Sequence, residues 1–120
     1  MRIFLVENHP DTLACLLRHL QCAGHEVDTA QTLAEAVRDL PAKPRDVLIA
    51  DLGLPDGDGW TLLKALGAAR PPYAIAMSGR GSPADRERST AAGFQEHLLK
   101  PFLPEELDHA LLGAGADAVS

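Results

Sequence analysis

Five times along this chain a short run of mostly apolar residues gives way to a segment with helical spacing, and that alternation restricts the fold more than any other feature. The runs are Arg2–Val6, Glu26–Thr29, Asp46–Ala50, Tyr73–Met77 and Glu96–Leu99. Most are apolar throughout rather than at every second residue, which suits parallel strands covered on both faces. Between them Leu13, Leu16, Leu17 and Leu20 recur at i, i+3, i+4 and i+7, as do Leu33, Ala36, Val37 and Leu40, so each set gathers on one face of a helix. A third helix carries Leu62, Leu63 and Leu66 after Trp60; a fifth carries Leu107, Ala110 and Leu111 after Pro104, a residue suited to a first helical turn. Gly24 and Gly93 stand where helices should end. Strict alternation of this kind predicts an α/β fold: a doubly wound, five-stranded parallel sheet with right-handed crossovers and five helices.

The fourth helix breaks the pattern. Ser82 can cap it and Pro83 can open it, but residues 84–92 offer only alanines for a core face. It is expected to be weakly anchored and therefore the easiest helix to shift. Residues 113–120 are small and loosely patterned, and read as a tail or the start of a linker after a domain over residues 1–112.

A chain of 120 residues that is 46% hydrophobic and 23% charged can close one core without covalent staples. Its net charge of −6 argues against a nucleic-acid surface, which needs clustered Lys and Arg, so proteins are the expected partners. No stretch approaches a membrane span and the first apolar run is too short for a signal peptide, which makes the cytoplasm the expected location. Cys15 and Cys22, seven positions apart on one helix, would have α-carbons roughly 10 Å apart, beyond disulfide reach, and are expected to be free thiols.

The chemistry collects at strand ends. Val47-Leu48-Ile49-Ala50 delivers Asp51 into the turn-rich Gly53-Leu54-Pro55-Asp56-Gly57-Asp58-Gly59; the first strand delivers Glu7-Asn8, the fourth Ser78-Gly79 and the fifth Lys100-Pro101. Carboxyl ends of parallel strands are where open α/β sheets bind ligands. Two acids, an amide, a hydroxyl and an amine there could hold a divalent cation and a phosphoryl group.

With these motifs in this order, the chain resembles over its whole length the receiver domain of two-component response regulators. The motifs are Leu5-Val6-Glu7-Asn8, Asp51-Leu52-Gly53-Leu54-Pro55-Asp56-Gly57, Ser78-Gly79 and Lys100-Pro101-Phe102. The resemblance implies a flavodoxin-like sheet of strand order 2-1-3-4-5. It also implies that Asp51 accepts a phosphoryl group from a phosphohistidine on a histidine kinase or phosphotransfer protein. A carboxylate is a competent nucleophile for this, and its acyl phosphate is labile enough to act as a reversible signal. Such a domain promotes its own phosphorylation and dephosphorylation and is not a dedicated turnover enzyme.

The resemblance further implies Mg2+ held by Glu7, Asn8, Asp51 and the backbone carbonyl of Gly53. Lys100 would bridge to a phosphoryl oxygen, and Ser78 would donate its hydroxyl to the phosphate. A cis Lys100–Pro101 bond is implied as well. His97 occupies the place of a switching aromatic residue that couples the site to the face of the fourth helix, fifth strand and fifth helix, where an output partner or a second copy would bind. Gly53 and Arg80 occupy places that tune phosphate lifetime.

One departure stands out: the family's usual acid pair is here Glu7 followed by Asn8. Asparagine still offers a carbonyl oxygen, but a negative charge near the cation is lost, and metal affinity should fall. The alternative is a receiver-like interaction module impaired in phosphorylation.

Other readings fail on their residues. A phosphohydrolase with an aspartyl intermediate needs a second acid two residues beyond the nucleophile, where this chain has Gly53. A flavin site wants small residues and free amides where Glu7-Asn8-His9-Pro10 stands. Asp56-Gly57-Asp58-Gly59 is a turn rather than a calcium loop, since Trp60 falls at a ligand position. Cys15, His19 and Cys22 lack a fourth zinc ligand. Together with Arg18 they are expected instead to form an exposed stripe for docking the kinase.

Overall fold

A computed structural model describes residues 1–115 of the chain. Five parallel strands, β1 (Arg2–Val6), β2 (Glu26–Ala30), β3 (Val47–Asp51), β4 (Tyr73–Ser78) and β5 (Glu96–Leu99), form one sheet in the order β2-β1-β3-β4-β5. Helices α1 (Pro10–Cys22), α2 (Leu33–Asp39), α3 (Leu62–Leu66), α4 (Pro83–Ala92) and α5 (Pro104–Leu112) connect and flank them. This is the doubly wound parallel sheet expected from the alternation, in the flavodoxin-like strand order that the resemblance implied. Of the tail expected over residues 113–120, residues 113–115 continue as a turn and residues 116–120 lie outside the described residues.

Both faces of the sheet are covered, which is why the strands read as continuous apolar runs. Side chains alternate across a strand: Ile3, Leu5, Val47, Ile49, Ile75 and Met77 join Leu13 and Leu20 of α1 and Leu107, Ala110 and Leu111 of α5 in one apolar layer. Phe4, Val6, Leu48, Ala50, Ala74 and Ala76 join Ala36, Leu62, Leu63 and Trp60 in the other. Burying a large aliphatic side chain contributes on the order of 2 kcal/mol, so the two layers supply most of the force that seats the sheet.

Local chemistry ends the helices. Pro10 opens α1 and the His9 side chain accepts from the Thr12 N–H, while Ser82 accepts from the Asp85 N–H at the start of α4. Gly93 closes α4 at φ 107°, a left-handed conformation that costs a glycine nothing sterically.

The turn after β3 is a short antiparallel hairpin, Gly53–Leu54 against Gly57–Asp58. At its tip Asp56 accepts from the N–H groups of Leu33 and Ala34 at 2.8 and 2.9 Å, so a residue distant in sequence caps α2. Those backbone hydrogen bonds, Ala34 first, hold the Asp56 carboxyl below its usual range.

Candidate functional site

Asp51 closes β3 and Ser78 closes β4, while Glu7 and Lys100 come directly after β1 and β5. Because the strands are parallel and in register, all four arrive at the same edge of the sheet. The chain leaves β1 toward β2 on one side and returns to β3 on the other, so the Glu7 and Asp51 ends flank the point where strand order reverses, the usual crevice of such sheets.

Lys100 joins the two acids. Its Nζ lies 2.5 Å from Glu7 Oε1 and 2.8 Å from Asp51 Oδ2. The main chain takes the remaining carboxylate oxygens: the Gly53 N–H donates to Asp51 Oδ1 at 2.9 Å and the His9 N–H to Glu7 Oε2 at 3.2 Å. Glu7 is only 1% exposed. Burial, reinforced by Asp51 beside it, holds its carboxyl above the usual range against the pull of Lys100 and the His9 N–H. Burial also opposes the Lys100 charge, yet the hydrogen bonds to Asp51 and Glu7 prevail and raise its ammonium above its ordinary value. The Lys100–Pro101 bond is cis, as the resemblance implied.

Ser78 is buried, and its Oγ accepts from the Arg80 N–H at 2.9 Å, which leaves its own proton to be donated elsewhere. A cleft of about 530 Å3 brings Asp51, Gly53, Trp60, Ser78 and Arg80 together. Asn8 is exposed. Among the described residues no three His, Cys, Asp or Glu side chains assemble as metal ligands, and position 8, next to Glu7, carries an amide rather than an acid. The donors that remain, two carboxylates with an amide and the Gly53 carbonyl, are hard oxygens that suit Mg2+ by type.

His97 on β5 is half-buried, with Nδ1 2.7 Å from Ser89 Oγ and Nε2 2.7 Å from the Arg80 carbonyl oxygen. Ser89 in turn accepts from the Trp60 indole N–H at 2.9 Å. The expectation that only alanines hold α4 is thereby corrected. Its buried anchor is the Ser89 hydroxyl, 1% exposed, with Ala92 partly buried beside it and the Arg88 guanidinium 4.0 Å over the Trp60 ring. The signal was present in the sequence as a small hydroxyl residue midway along a helix with no large apolar side chain.

The α1 stripe is exposed at three of its four positions and partly exposed at His19. Cys15, Arg18 and Cys22 are exposed. His19 instead turns to α5, its Nε2 2.8 Å from Asp108 Oδ1, and ties the two helices together. Beside it runs a groove of about 700 Å3 lined by Cys15, Leu16, His19, Lys100, Phe102 and Pro104.

Residues 3–112 match the family model of the response regulator receiver domain. The transcriptional regulatory protein PrrA of Mycobacterium leprae is 36% identical over 107 residues, which cover 88% of this chain and 46% of that protein. The chain thus spans about half the length of the curated relatives it matches. A two-component response regulator from Clostridium difficile shares the fold with a TM-score of 0.91 at 22% identity, over 100% of this chain and 99% of its own. The chemotaxis response regulator CheY4 of Vibrio cholerae reaches a TM-score of 0.87 at 27% identity, over 94% of this chain and 97% of its own.

Proposed function

This chain belongs to the response regulator receiver domain family, and we propose that Asp51 accepts a phosphoryl group from a phosphohistidine on a histidine kinase or phosphotransfer protein. The observation that carries this reading is the bridge from Lys100 to both Glu7 and Asp51 at the reversal point of the sheet. An Asp51 oxygen attacks phosphorus as the P–N bond breaks, and the electron pair returns to the partner's imidazole, which takes up a proton. Lys100 and the Ser78 hydroxyl then donate to the transferred phosphoryl oxygens. Mg2+, held by Glu7, Asn8, Asp51 and the Gly53 carbonyl, would neutralise charge on those oxygens. Gly53 leaves the site open to water and Arg80 flanks the same cleft, so these two set how long the acyl phosphate survives.

Receiver domains are generally not dedicated enzymes, and turnover here is confined to the domain's own phosphate. Two surfaces suit protein partners. Cys15, Arg18 and Cys22 lie exposed along α1, beside the groove that reaches Lys100, and would meet the kinase side. Leu99 and Leu103 are 44% and 65% exposed on the α4-β5-α5 side, a face for an output partner or a second copy. We assign residues 1–112 to the receiver unit and residues 113–120 to its tail or linker. No described helix is long and apolar enough to cross a membrane.

The direct test is mass spectrometry after incubation with a small-molecule phosphodonor and magnesium. The protein should gain one phosphoryl group, and Asp51→Ala should gain none; equal uptake by the variant would remove Asp51 from the reaction.

A second reading follows from Asn8: an interaction module whose metal affinity is too low for phosphorylation. Asn8→Asp returns a carboxylate and should tighten Mg2+ binding, read by calorimetry, by about tenfold if one more charged oxygen enters the metal's shell. Phosphate uptake that appears only in Asn8→Asp would favour the interaction module.

A further inference from the structure

β2 lies at one edge of the sheet and pairs with β1 alone. Glu26 donates its N–H to the Met1 carbonyl, and the Ala30 carbonyl accepts from the Glu7 N–H. The N–H and C=O of one residue point to the same side of a strand and that side alternates, so Glu26, Asp28 and Ala30 face β1 while Val27 and Thr29 face outward. Their main-chain groups form an open edge. β2 also lacks the proline or bulge that would blunt it.

That edge is recessed. A cavity of about 500 Å3 runs against Val27, Asp28 and Thr29, with Leu17 and Gln21 of α1 on one side and Ala42 and Lys43, just after α2, on the other. Side chains alternate across a strand, so the slot has two chemically distinct walls. Val27 packs on the apolar layer of α1. Asp28 is in register with Phe4 and points to the other face, where the Arg45 guanidinium lies 5.3 Å over the Phe4 ring.

The second wall has donors to spare. The Arg45 side chain is only 4% exposed; its Nη1 donates to the Lys43 carbonyl at 2.9 Å, its Nη2 lies 2.7 Å from Asp28 Oδ2, and its Nε is buried with no acceptor among the described residues. Lys43 Nζ approaches the same Asp28 oxygen at 3.3 Å, with Glu26 farther off at 3.9 Å. Asp39, the other acid lining the cavity, is held by Arg38 at 2.7 and 3.0 Å. A guanidinium carries five donors and an ammonium three, so one shared carboxylate and a carbonyl leave most of them without a protein acceptor. What the wall lacks is a further carboxylate.

We propose that β2 takes an extended segment of a partner protein as a sixth strand, with apolar side chains toward Leu17 and Val27 and acidic side chains toward Lys43 and Arg45. The guest main chain pairs with Val27 and Thr29, and its period of two sends alternate residues to the two walls. This surface lies at the opposite edge of the sheet from β5 and does not depend on the reading of Asp51 as phosphoacceptor. A second copy of the chain fits less well. The one antiparallel register that uses both outward residues of each β2, Val27 against Thr29, sets the two copies of Asp28 directly opposite, and like charges so placed are destabilising.

The experiment uses the 15N-labelled chain and two capped peptides, Thr-Val-Glu-Val-Glu-Val-Thr and the same sequence with Lys for Glu. In the free chain the Val27 and Thr29 amide protons should exchange rapidly while those of Asp28 and Ala30 exchange slowly. The Glu peptide should shift the Val27 and Thr29 signals and slow their exchange by at least about tenfold, and the Lys peptide should bind about tenfold more weakly. Thr29→Pro removes an outward N–H that β1 does not use, so the sheet should stand while binding of the Glu peptide is lost. Lys43→Glu should reverse the preference between the peptides, and carries the test alone if Thr29→Pro does not fold. Equal affinity for the two peptides, no binding of either at millimolar concentration, or unchanged binding by Thr29→Pro overturns the proposal. So does slow exchange at Val27 and Thr29 in the free chain: with a sedimentation mass twice that of one chain it assigns the edge to a second copy, and without it to another part of the same chain.

Discussion

Helix α1 holds one face of the sheet through Leu13 and Leu20, which are buried in the apolar layer with Ile3, Leu5 and Leu111, whereas α4 holds the other face through the buried Ser89 hydroxyl and the partly buried Ala92. Apolar burial has no direction and scales with area, so α1 is strongly held in any pose that covers its leucines. Ser89 contributes little area but specifies one pose, because its two hydrogen bonds need particular distances and angles. One sheet thus carries a helix fixed by quantity of contact and a helix fixed by its geometry. The second kind suits a part that must take up two positions.

Breaking each anchor should cost very different amounts. Leu20→Ala should lower stability to unfolding by about 3 kcal/mol, the cost of a large-to-small change at a fully buried site. Ser89→Ala should cost only about 1–2 kcal/mol, since it removes hydrogen bonds without opening a large cavity. Urea denaturation of both variants measures the gap, and equal losses would erase the distinction between the helices.

Polar groups are not always anchors, and the cluster ahead of α1 is the counterexample. In the fold Glu7 holds its proton more tightly than in the unfolded chain. Its stabilising contribution is therefore full below the ordinary carboxyl value of 4.5 and lost as pH rises through the raised one. Glu7→Gln has no such loss. The variant should be more stable than the wild type near neutral pH, by a margin that shrinks toward pH 4.5 as Glu7 protonates in both states. Denaturation midpoints across that range check the sign; a wild type that is the more stable at neutral pH would mean that Lys100 more than compensates for the burial of Glu7.

The smallest effect belongs to Arg88. Its guanidinium stacks over the Trp60 ring and approaches Asp58 at 3.7 Å, with both charged side chains substantially exposed. Exposed ion pairs are worth little and the stacking somewhat more, so Arg88→Ala should cost about 0.5 kcal/mol. Trp60 fluorescence should shift while the Ser89–His97 bond persists. A loss as large as that of Ser89→Ala would mean that α4 is held from its surface.

The alternation of apolar run and helical period was legible because it is local. A strand covered on both faces has to be apolar throughout, and that demand is written into consecutive residues. The placement of Glu7, Asp51, Ser78 and Lys100 at one edge followed from the same reading, since parallel strands share their carboxyl ends. What could not be read were pairings between residues far apart in sequence: His19 with Asp108, Asp56 with the start of α2, and Trp60 with Ser89 and His97. Each joins polar groups whose own neighbours in the chain carry no trace of the partner. Periodicity encodes which face of an element avoids water. Which donor meets which acceptor is settled only when the packed layers bring them within about 3 Å, where the directionality of the hydrogen bond selects among the arrangements that burial alone would allow.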